Sequence, residues 1–209
     1  MTLSAKGTRL NRRGLETRTQ LLETAVTCLA TGGPESVSAN LIARRAGVTW
    51  GTVQHQFGDA DGLWAAVLGH IAAQFEDLAA DLPPDLTVDD RVRAIVDMLW
   101  RAVDLPASRA INNIRTSLPR QQADLEDAFP HTAAALSAWR DSWTAACTRA
   151  FDGLPVPPDR LRRVTYLLPG AMMGLRNEQH LATYADLDEA RVGLTESVAL
   201  YLAAPGPTA

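Results

Sequence analysis

The stretch SANLIARRAGVTWGTVQHQFGDADGL, residues 38–63, predicts two short helices joined by a tight turn. Ser38 and Thr49 stand where the two helices would begin, and their hydroxyl groups are good N-terminal caps. Gly47 can adopt the positive φ angle that the turn between the helices requires. Val53 and Phe57 are one helical turn apart, so both are expected to pack onto a core. The stretch therefore predicts a helix-turn-helix motif.

The second helix of this motif is predicted to point Trp50, Thr52, Gln54, His55 and Gln56 outward. Glutamine can pair with adenine in the major groove, and threonine can contact a phosphate or a thymine methyl group. A short polar helix preceded by a basic one is typical of DNA recognition. The candidate DNA-binding residues are Arg9, Arg12, Arg13, Ser38, Asn40, Arg44, Thr49, Trp50, Gly51, Thr52, Gln54, His55 and Gln56.

The charge of the chain is distributed unevenly. The formal net charge of −4 over 209 residues argues, taken alone, against a partner as acidic as nucleic acid. Residues 1–58, however, contain seven basic and three acidic residues, a net charge of +4, and the remainder carries −8. The positive part of the chain is therefore the part that contains the helix-turn-helix.

The remaining sequence favours an all-α fold. Apolar residues recur at helical spacing, and alternation typical of strands is nowhere sustained. A long helix is expected over residues 60–80, with Leu63, Val67, Ile71 and Phe75 in one row. The two cysteines show no Cys-x-x-Cys spacing, which argues against a disulfide scaffold or a zinc ribbon. No apolar segment has the length of a membrane span, so we expect a cytoplasmic protein.

Residues 16–68 resemble the N-terminal DNA-binding region of the TetR family of transcriptional regulators. The residues that carry the resemblance are Ile42-Ala43, Arg45-Ala46-Gly47-Val48-Thr49, Gly51-Thr52-Val53, Phe57 and Leu63. The rest of the chain is similar in layout only. The resemblance implies about nine helices, forming a three-helix DNA-binding domain and a larger helical domain for ligand binding and dimerisation.

On this basis we expect four segments. They are a basic flexible arm (1–15), the DNA-binding domain (16–60), the ligand-binding and dimerisation domain (61–204) and a disordered tail (205–209).

The sequence departs from the family at three positions. Members usually have tyrosine at the position of Gln54, often histidine at that of Gln56, and a phosphate-binding lysine at that of Ala60. Direct phosphate contacts are therefore expected to be fewer. Either the arginines of the arm compensate along the phosphates or in a minor groove, or the operator is unusual or the affinity modest.

The layout of the family also implies a ligand site between helices of the second domain. The candidates are Trp100, Asn113, Trp139, Trp143, Met173, Arg176 and Asn177. Aromatic walls with a few polar anchors would suit a small, largely apolar molecule. Ordinary core packing is the alternative interpretation of tryptophan and methionine at helical spacing.

Two apolar stripes on the last two long helices are the predicted dimer interface. They consist of Leu161, Val164, Leu168, Ala171 and Leu175 on the first helix, and of Leu194, Val198 and Tyr201 on the second. Two such stripes could form a four-helix interface with their symmetry mates. Burial within one subunit is the competing interpretation.

Enzyme motifs are not apparent, and the four histidines show no metal-ligand spacing, so we expect neither catalysis nor a metal or other cofactor. The sequence predicts a homodimeric repressor that binds a pseudo-palindromic DNA operator and is released by a small molecule. The alternative is a helical ligand-binding or partner-binding protein whose helix-turn-helix no longer reads DNA.

Overall fold

The computed structural model describes residues 4–5, 7–33, 37–74, 82–83, 85–181 and 184–204. Within these ranges the chain forms ten α-helices and no β-strand, which confirms the predicted all-α class. The helices are α1 (Arg12–Thr31), α2 (Ala39–Arg45), α3 (Trp50–Phe57), α4 (Ala60–Ala72), α5 (Val88–Ala102), α6 (Pro106–Ser117), α7 (Gln122–Ala128), α8 (Pro130–Ala150), α9 (Pro158–His180) and α10 (Leu187–Ala203). The predicted tail, 205–209, lies outside the described residues.

Helices α2 and α3 begin at the caps that the sequence predicts. Ser38 Oγ accepts the backbone N–H of Leu41, and Thr49 Oγ1 accepts that of Thr52. Gly47, in the turn between these helices, has φ +69°. These three local features define the helix-turn-helix. The hydroxyl groups of Ser38 and Thr49 fix the starts of α2 and α3, and the absence of a side chain lets Gly47 adopt the positive φ of the turn.

The bounds of α1 and α4 bear on two of the predictions. Helix α1 begins at Arg12, inside the predicted flexible arm (1–15), because Asn11 Oδ1 accepts the N–H of Gly14 at 2.9 Å and caps the helix. Helix α4 ends at Ala72, and Ala73 and Gln74, which follow it, are exposed. Residues 75–80, over which the helix was predicted to continue and which include Phe75 of its apolar row, lie outside the described residues.

The contacts divide the chain into two units, which we describe separately. Unit 1 consists of Met1–Glu76 and Leu105–Trp139, and unit 2 of Asp77–Asp104 and Arg140–Ala209. A contiguous division near residue 60 was expected, but α6 and α7 belong with the helix-turn-helix. The reason is that Ala110 and Ile114 of α6 are fully buried in the same core as Leu21 and Leu29 of α1.

Asp61 joins the first turns of α4 and α8 within unit 1. Its side chain is buried, and its two carboxylate oxygens accept the backbone N–H groups of His131 (2.9 Å) and Thr132 (2.8 Å). The Thr132 hydroxyl, itself fully buried, donates to the backbone carbonyl of Asp61 at 3.2 Å. The carboxylate thus caps a neighbouring helix, at the end where the helix dipole favours negative charge.

Unit 2 has its own core, formed by α5, α9, α10 and the second part of α8. Pro169 lies inside α9 and has no N–H, so it offers no donor to the carbonyl of Thr165 four residues earlier. Trp143 Nε1 of α8 donates to this carbonyl at 2.8 Å. Cys147 of α8 is also buried here, and its burial raises the pKa of the thiol to about 12. No helix in the described part of the chain combines the length and apolarity needed to cross a membrane.

The close approach between the end of α3 and the start of α4 generates a stability prediction. A Cβ atom added at Gly62 would lie 2.0 Å from the carbonyl oxygen of Phe57. Gly62→Ala should therefore lower the free energy of unfolding by about 1–3 kcal/mol, measured by urea denaturation followed by circular dichroism.

Gly69→Ala is the matched control in the same helix, because a Cβ at Gly69 meets nothing within 4 Å. Its expected effect is a stabilisation of about 0.5–1 kcal/mol from helix propensity. Equal effects of the two substitutions would show that the approach at Gly62 is not tight.

Candidate nucleic-acid interface

The outer side of α3 carries an exposed polar surface. Gln54 and His55 are exposed, and Thr52 is half-buried with its hydroxyl 3.1 Å from that of Thr49. Trp50 is half-buried and packs against the core of unit 1, so its ring is partly used for packing. Further exposed residues of the predicted DNA-binding set are Asn40, Arg44, Thr49 and Gly51, whereas Ser38 is half-buried and caps α2.

Gln56 lies on the inner side of α3, so the prediction that it points outward is wrong. Its side chain is only 4% exposed, and its Nε2 donates to the backbone carbonyl of Gly14 at 3.0 Å. Gln56 follows Val53 by three residues and immediately precedes Phe57, which places it beside the two buried apolar residues. That spacing was available in the sequence, but the polar side chain suggested exposure.

Arg18 of α1 also contacts the end of α3. Its Nη1 donates to the backbone carbonyl of Gln56 at 2.8 Å, and its guanidinium lies 4.3 Å from the centroid of the Phe57 ring. Partial burial lowers the pKa of this guanidinium. Arg18 and Gln56 therefore link α1 and α3 reciprocally, each donating to a carbonyl group of the other's helix.

The described part of the predicted arm packs against α3. The backbone N–H of Ala5 donates to the carbonyl of His55 at 3.2 Å, and Ser4 and Leu10 are buried. Ser4 Oγ accepts the N–H of Thr8 at 3.2 Å and closes a turn. This segment was expected to be a flexible arm; in the described residues it makes this one backbone hydrogen bond to α3, and residues from Arg12 onward are helical.

A groove of about 370 Å³ separates this segment from α1 and α3. Its lining residues are Thr8, Arg9, Leu10, Asn11, Arg13, Gly14, Thr17, Thr52, His55 and Gln56. Arg9 and Arg13 are exposed, and Arg12 forms an exposed ion pair with Glu16 at 3.2 Å. The groove therefore combines arginine side chains with two of the polar residues of α3.

A family model described as bacterial regulatory proteins of the TetR family matches residues 21–67, which include α2 and α3. This segment is similar to the TetR family. The matched segment contains the helix-turn-helix, and the family is described as regulatory proteins.

Relatives and solved structures are similar beyond this segment. The HTH-type transcriptional regulator BetI of Escherichia coli is 27% identical over 51% of this chain and 72% of its own length. A TetR-family transcriptional regulator from Streptomyces coelicolor has a TM-score of 0.68 at 19% identity, covering 90% of this chain and 80% of its own. NalD of Pseudomonas aeruginosa, described as the secondary repressor of a multidrug efflux pump, has a TM-score of 0.58 at 20% identity, covering 88% and 96%. These structures share the fold.

Asn113 and Trp139, two of the seven predicted ligand-binding residues, belong to unit 1. Asn113 Nδ2 donates to the carbonyl groups of Leu29 (2.6 Å) and Gly32 (2.9 Å), so its amide caps the end of α1 rather than lining a pocket. Carbonyl groups at the end of a helix lack partners within it, and a side-chain amide satisfies them. Trp139 is half-buried against the core of the unit.

The other five predicted ligand-binding residues belong to unit 2. The Trp143 indole N–H is already bonded to Thr165, and Trp100 lies under the guanidinium of Arg191, 5.9 Å from its ring centroid. Arg176 is 6% exposed, pairs with Asp104 and donates to Gln179 Oε1 at 2.8 Å. Met173 is half-buried and Asn177 is exposed.

Four residues of the predicted dimer stripes are buried inside unit 2, where α5 covers them. These are Leu161, Val164, Leu168 and Val198, which lie in one core with Val92, Ile95 and Val96. For these four, the prediction of an intersubunit contact is wrong and burial within the subunit is correct. Ala171, Leu175 and Leu194 are half-buried, and Tyr201 is 37% exposed.

Other sides of the same two helices are apolar and exposed. We define the α9–α10 face as Tyr166, Leu167, Gly170, Gly174, Val192 and Leu200. Leu167 is 53% exposed and Leu200 72%, and a Cβ added at either glycine would meet nothing within 4 Å. Arg163 donates to Tyr201 Oη at 2.9 Å and links the two helices beside this face. In the part of the chain that the structure describes, no group of three or more His, Cys, Asp or Glu side chains could hold a metal ion.

The contrast between Gln54 and Gln56 generates a second stability prediction. Gln56→Ala removes the hydrogen bond to Gly14 and leaves a small void, so it should lower the free energy of unfolding by about 1–2 kcal/mol. Gln54→Ala, the same change on the exposed side of the helix, should change it by no more than about 0.5 kcal/mol. Chemical denaturation measures both. A loss for Gln54→Ala that equals the loss for Gln56→Ala would contradict the assignment of the two sides.

Proposed function

We propose that this protein is a TetR-family regulator, a homodimeric repressor that acts in the cytoplasm, binds a pseudo-palindromic operator and is released by a small molecule. Each subunit inserts α3 into a major groove, and the two grooves lie roughly 34–36 Å apart along the duplex. The observation that carries the proposal is the exposed polar side of α3 next to a groove that contains Arg9 and Arg13. The description of NalD as a repressor adds support from a protein of similar fold.

Specificity and affinity come from different residues in this proposal. Gln54, His55 and Thr52 contact base edges or nearby phosphates, because they occupy the outer side of α3. Positive charge for the phosphates comes from Arg9, Arg12, Arg13, Arg44 and Arg45, all of which are exposed. The first residue of α4 is Ala60, so this helix contributes no cation at its start. The arginines near the N-terminus consequently make a large share of the phosphate contacts.

The salt dependence of DNA binding tests this distribution of charge. Each lost phosphate contact lowers the slope of log affinity against log salt by about 1, so Arg12→Ala with Arg13→Ala should lower it by about 2. The measurement is fluorescence anisotropy with duplexes tiled across the region upstream of the protein's own gene. Arg149→Ala, which removes an exposed arginine of unit 2, is the control and should leave the slope unchanged.

Two results would contradict the proposal. An unchanged slope in the double variant would remove the N-terminal arginines from the interface. Failure of the wild-type protein to bind any of these duplexes at low salt, with an intact dimer, would favour the alternative of a ligand-binding or partner-binding protein that no longer reads DNA.

We propose the α9–α10 face as the dimer interface, in place of the two apolar stripes that the sequence predicted. The support is its exposed apolar surface together with Gly170 and Gly174, which allow a second helix to approach closely. Two helices from each subunit then form a four-helix interface about a twofold axis.

Sedimentation velocity distinguishes this face from the buried stripes. Leu167→Arg with Leu200→Arg should convert the dimer to a monomer without loss of helix content, because each buries a charge in an apolar interface. Leu168→Ala, at the neighbouring buried position, should instead lower the free energy of unfolding by about 2–5 kcal/mol and leave a dimer. A dimer that survives Leu167→Arg with Leu200→Arg would show that the α9–α10 face is not the interface.

The proposed effector is a small, largely apolar molecule bound by unit 2. Support comes from the aromatic side chains of Trp100 and Trp143, which are half-buried. Arg176 and Arg191 are paired with Asp104 and Asp97, so a charged ligand would have to displace one of these carboxylates. Desolvating and exchanging such pairs is costly, which favours an effector that makes mainly apolar contacts.

A further inference from the structure

We infer that Arg18 is a positioning residue that orients α3, and that it governs discrimination between DNA sequences without contacting DNA. The inference rests on the proposed function, since it assigns part of the sequence specificity of the proposed interface. Arg18 is basic and lies in the positively charged part of the chain, so the sequence alone suggests a phosphate contact. Its contacts in the structure are instead with α3.

Helix α3 is too short to hold a fixed orientation by itself. It has eight residues, and isolated helices of this length are marginal in water. Val53 and Phe57 bury its apolar side, but apolar burial is non-directional. Its start is fixed locally by the Thr49 cap and by the bond from the N–H of Val48 to the carbonyl of Ala43. Directional contacts at its other end come from outside the helix-turn-helix.

These contacts at the end of α3 centre on Arg18 of α1. Its Nη1 donates to the backbone carbonyl of Gln56 at 2.8 Å, and its guanidinium lies 4.3 Å from the centroid of the Phe57 ring. Gln56 Nε2 donates in the opposite direction, to the carbonyl of Gly14 at 3.0 Å. Hydrogen bonds constrain both distance and angle, so the two bonds together restrict how α3 lies on α1.

The same contacts set the rotation of α3 about its axis. Successive residues of an α-helix are about 100° apart, so Gln54 projects from nearly the opposite side of the helix to Gln56. Gln56 is 4% exposed and faces α1, whereas Gln54 is exposed. Holding Gln56 against α1 therefore fixes the direction of Gln54. Hydrogen bonds to base edges require such a fixed direction, because their geometry carries the sequence discrimination.

Arg18 is too fully engaged to serve a phosphate as well. It is half-buried, whereas Arg9 and Arg13 are exposed and line the groove beside α3. Turning its guanidinium toward DNA would break the bond to the carbonyl of Gln56 and the contact with Phe57. Two arginines of the same helix, Arg13 and Arg18, are thus assigned to different tasks.

The first test uses the full-length protein without DNA. In Arg18→Ala, amide hydrogen exchange of peptides that cover α3 should be about tenfold faster, because a hydrogen bond to a charged group is lost. Asn113→Ala is the matched control, since it removes two hydrogen bonds at the far end of α1, to the carbonyls of Leu29 and Gly32. It should leave exchange in α3 near the wild-type rate. Mass spectrometry measures both.

The second test measures discrimination between two DNA duplexes. One is the duplex bound most tightly among those tiled across the region upstream of the protein's own gene, and the other is a scrambled duplex of the same length and composition. Arg18→Ala should lower the ratio of the two affinities by about ten- to hundredfold and leave the salt slope unchanged. Arg13→Ala should do the reverse, with a slope lower by about 1 and a wild-type ratio.

Two further variants separate position from charge. Arg18→Lys keeps the positive charge but not the planar head that bonds Gln56 and covers Phe57, so it should lower the ratio as Arg18→Ala does. Gln56→Met removes the bond to Gly14 at similar volume and replaces Arg18→Ala if the latter does not fold. Since Gln56 is buried on the inner side of α3, a lower ratio in this variant arises from the position of the helix.

Three outcomes would overturn the inference. Unchanged exchange of α3 in Arg18→Ala would show that Arg18 does not fix this helix. An unchanged affinity ratio in Arg18→Ala would show that its contacts do not govern discrimination. A salt slope that falls by about 1 in Arg18→Ala and recovers in Arg18→Lys would make Arg18 a phosphate contact. If the wild type binds none of the duplexes, the proposed function fails, and the exchange experiment still decides whether Arg18 holds α3 in place.

Discussion

Burial of the apolar side of α1 is the constraint on which unit 1 depends. Leu21, Ala25 and Leu29 are completely buried, and helices from distant parts of the sequence contribute to covering them. At about 25 cal/mol per Å² of apolar surface, a few such side chains account for several kcal/mol of folding free energy. Polar groups then fix the two ends of this helix, Arg18 near its start and Asn113 at its end. Helix α3 is thus attached to a helix that is itself fixed near both ends.

How far the sequence predicted the structure depends on the range of the interactions involved. The helix-turn-helix was predictable because Ser38, Gly47 and Thr49 act on their own backbone or on residues three positions away. The contact of Asn113 with Leu29 and that of Asp61 with Thr132 join residues 84 and 71 positions apart. No local sequence pattern predicts contacts between residues so far apart in the chain. The partners of Asn113 and Arg176 were likewise outside the reach of local patterns, since Asn113 binds Leu29 and Arg176 binds Asp104.

The dimer stripes show a different limit of sequence analysis. The spacing of Leu161, Val164 and Leu168 correctly identified an apolar side of α9, but periodicity does not reveal what covers that side. Here α5 of the same chain covers it. The signal for the exposed α9–α10 face was weaker, since glycine and tyrosine between arginines resemble ordinary surface. Gln56 illustrates the converse error, in which a polar residue was assigned to solvent although its neighbours on the helix are apolar.

Three arginines of unit 2 are bound to groups within the unit. Arg191 pairs with Asp97 and Asp188, Arg176 pairs with Asp104, and Arg91 donates to the carbonyl of Ala150 at the end of α8. Arginine suits these positions because its planar head can serve two partners at once. Since the chain after residue 58 is acidic overall, the proposed function implies that its field repels DNA from surfaces other than α3 and the arginines beside it.

The two cysteines differ in a way that matters for anyone who wishes to attach a probe. Cys147 is buried, and its burial raises the pKa of the thiol to about 12. Cys28, on α1, is only half-buried. Thiol reagents act on the ionised form, so Cys147 is protected by its own surroundings. The sequence therefore offers a single labelling position, Cys28, on the helix that contacts α3, and spectroscopic studies of this protein need no prior removal of cysteines.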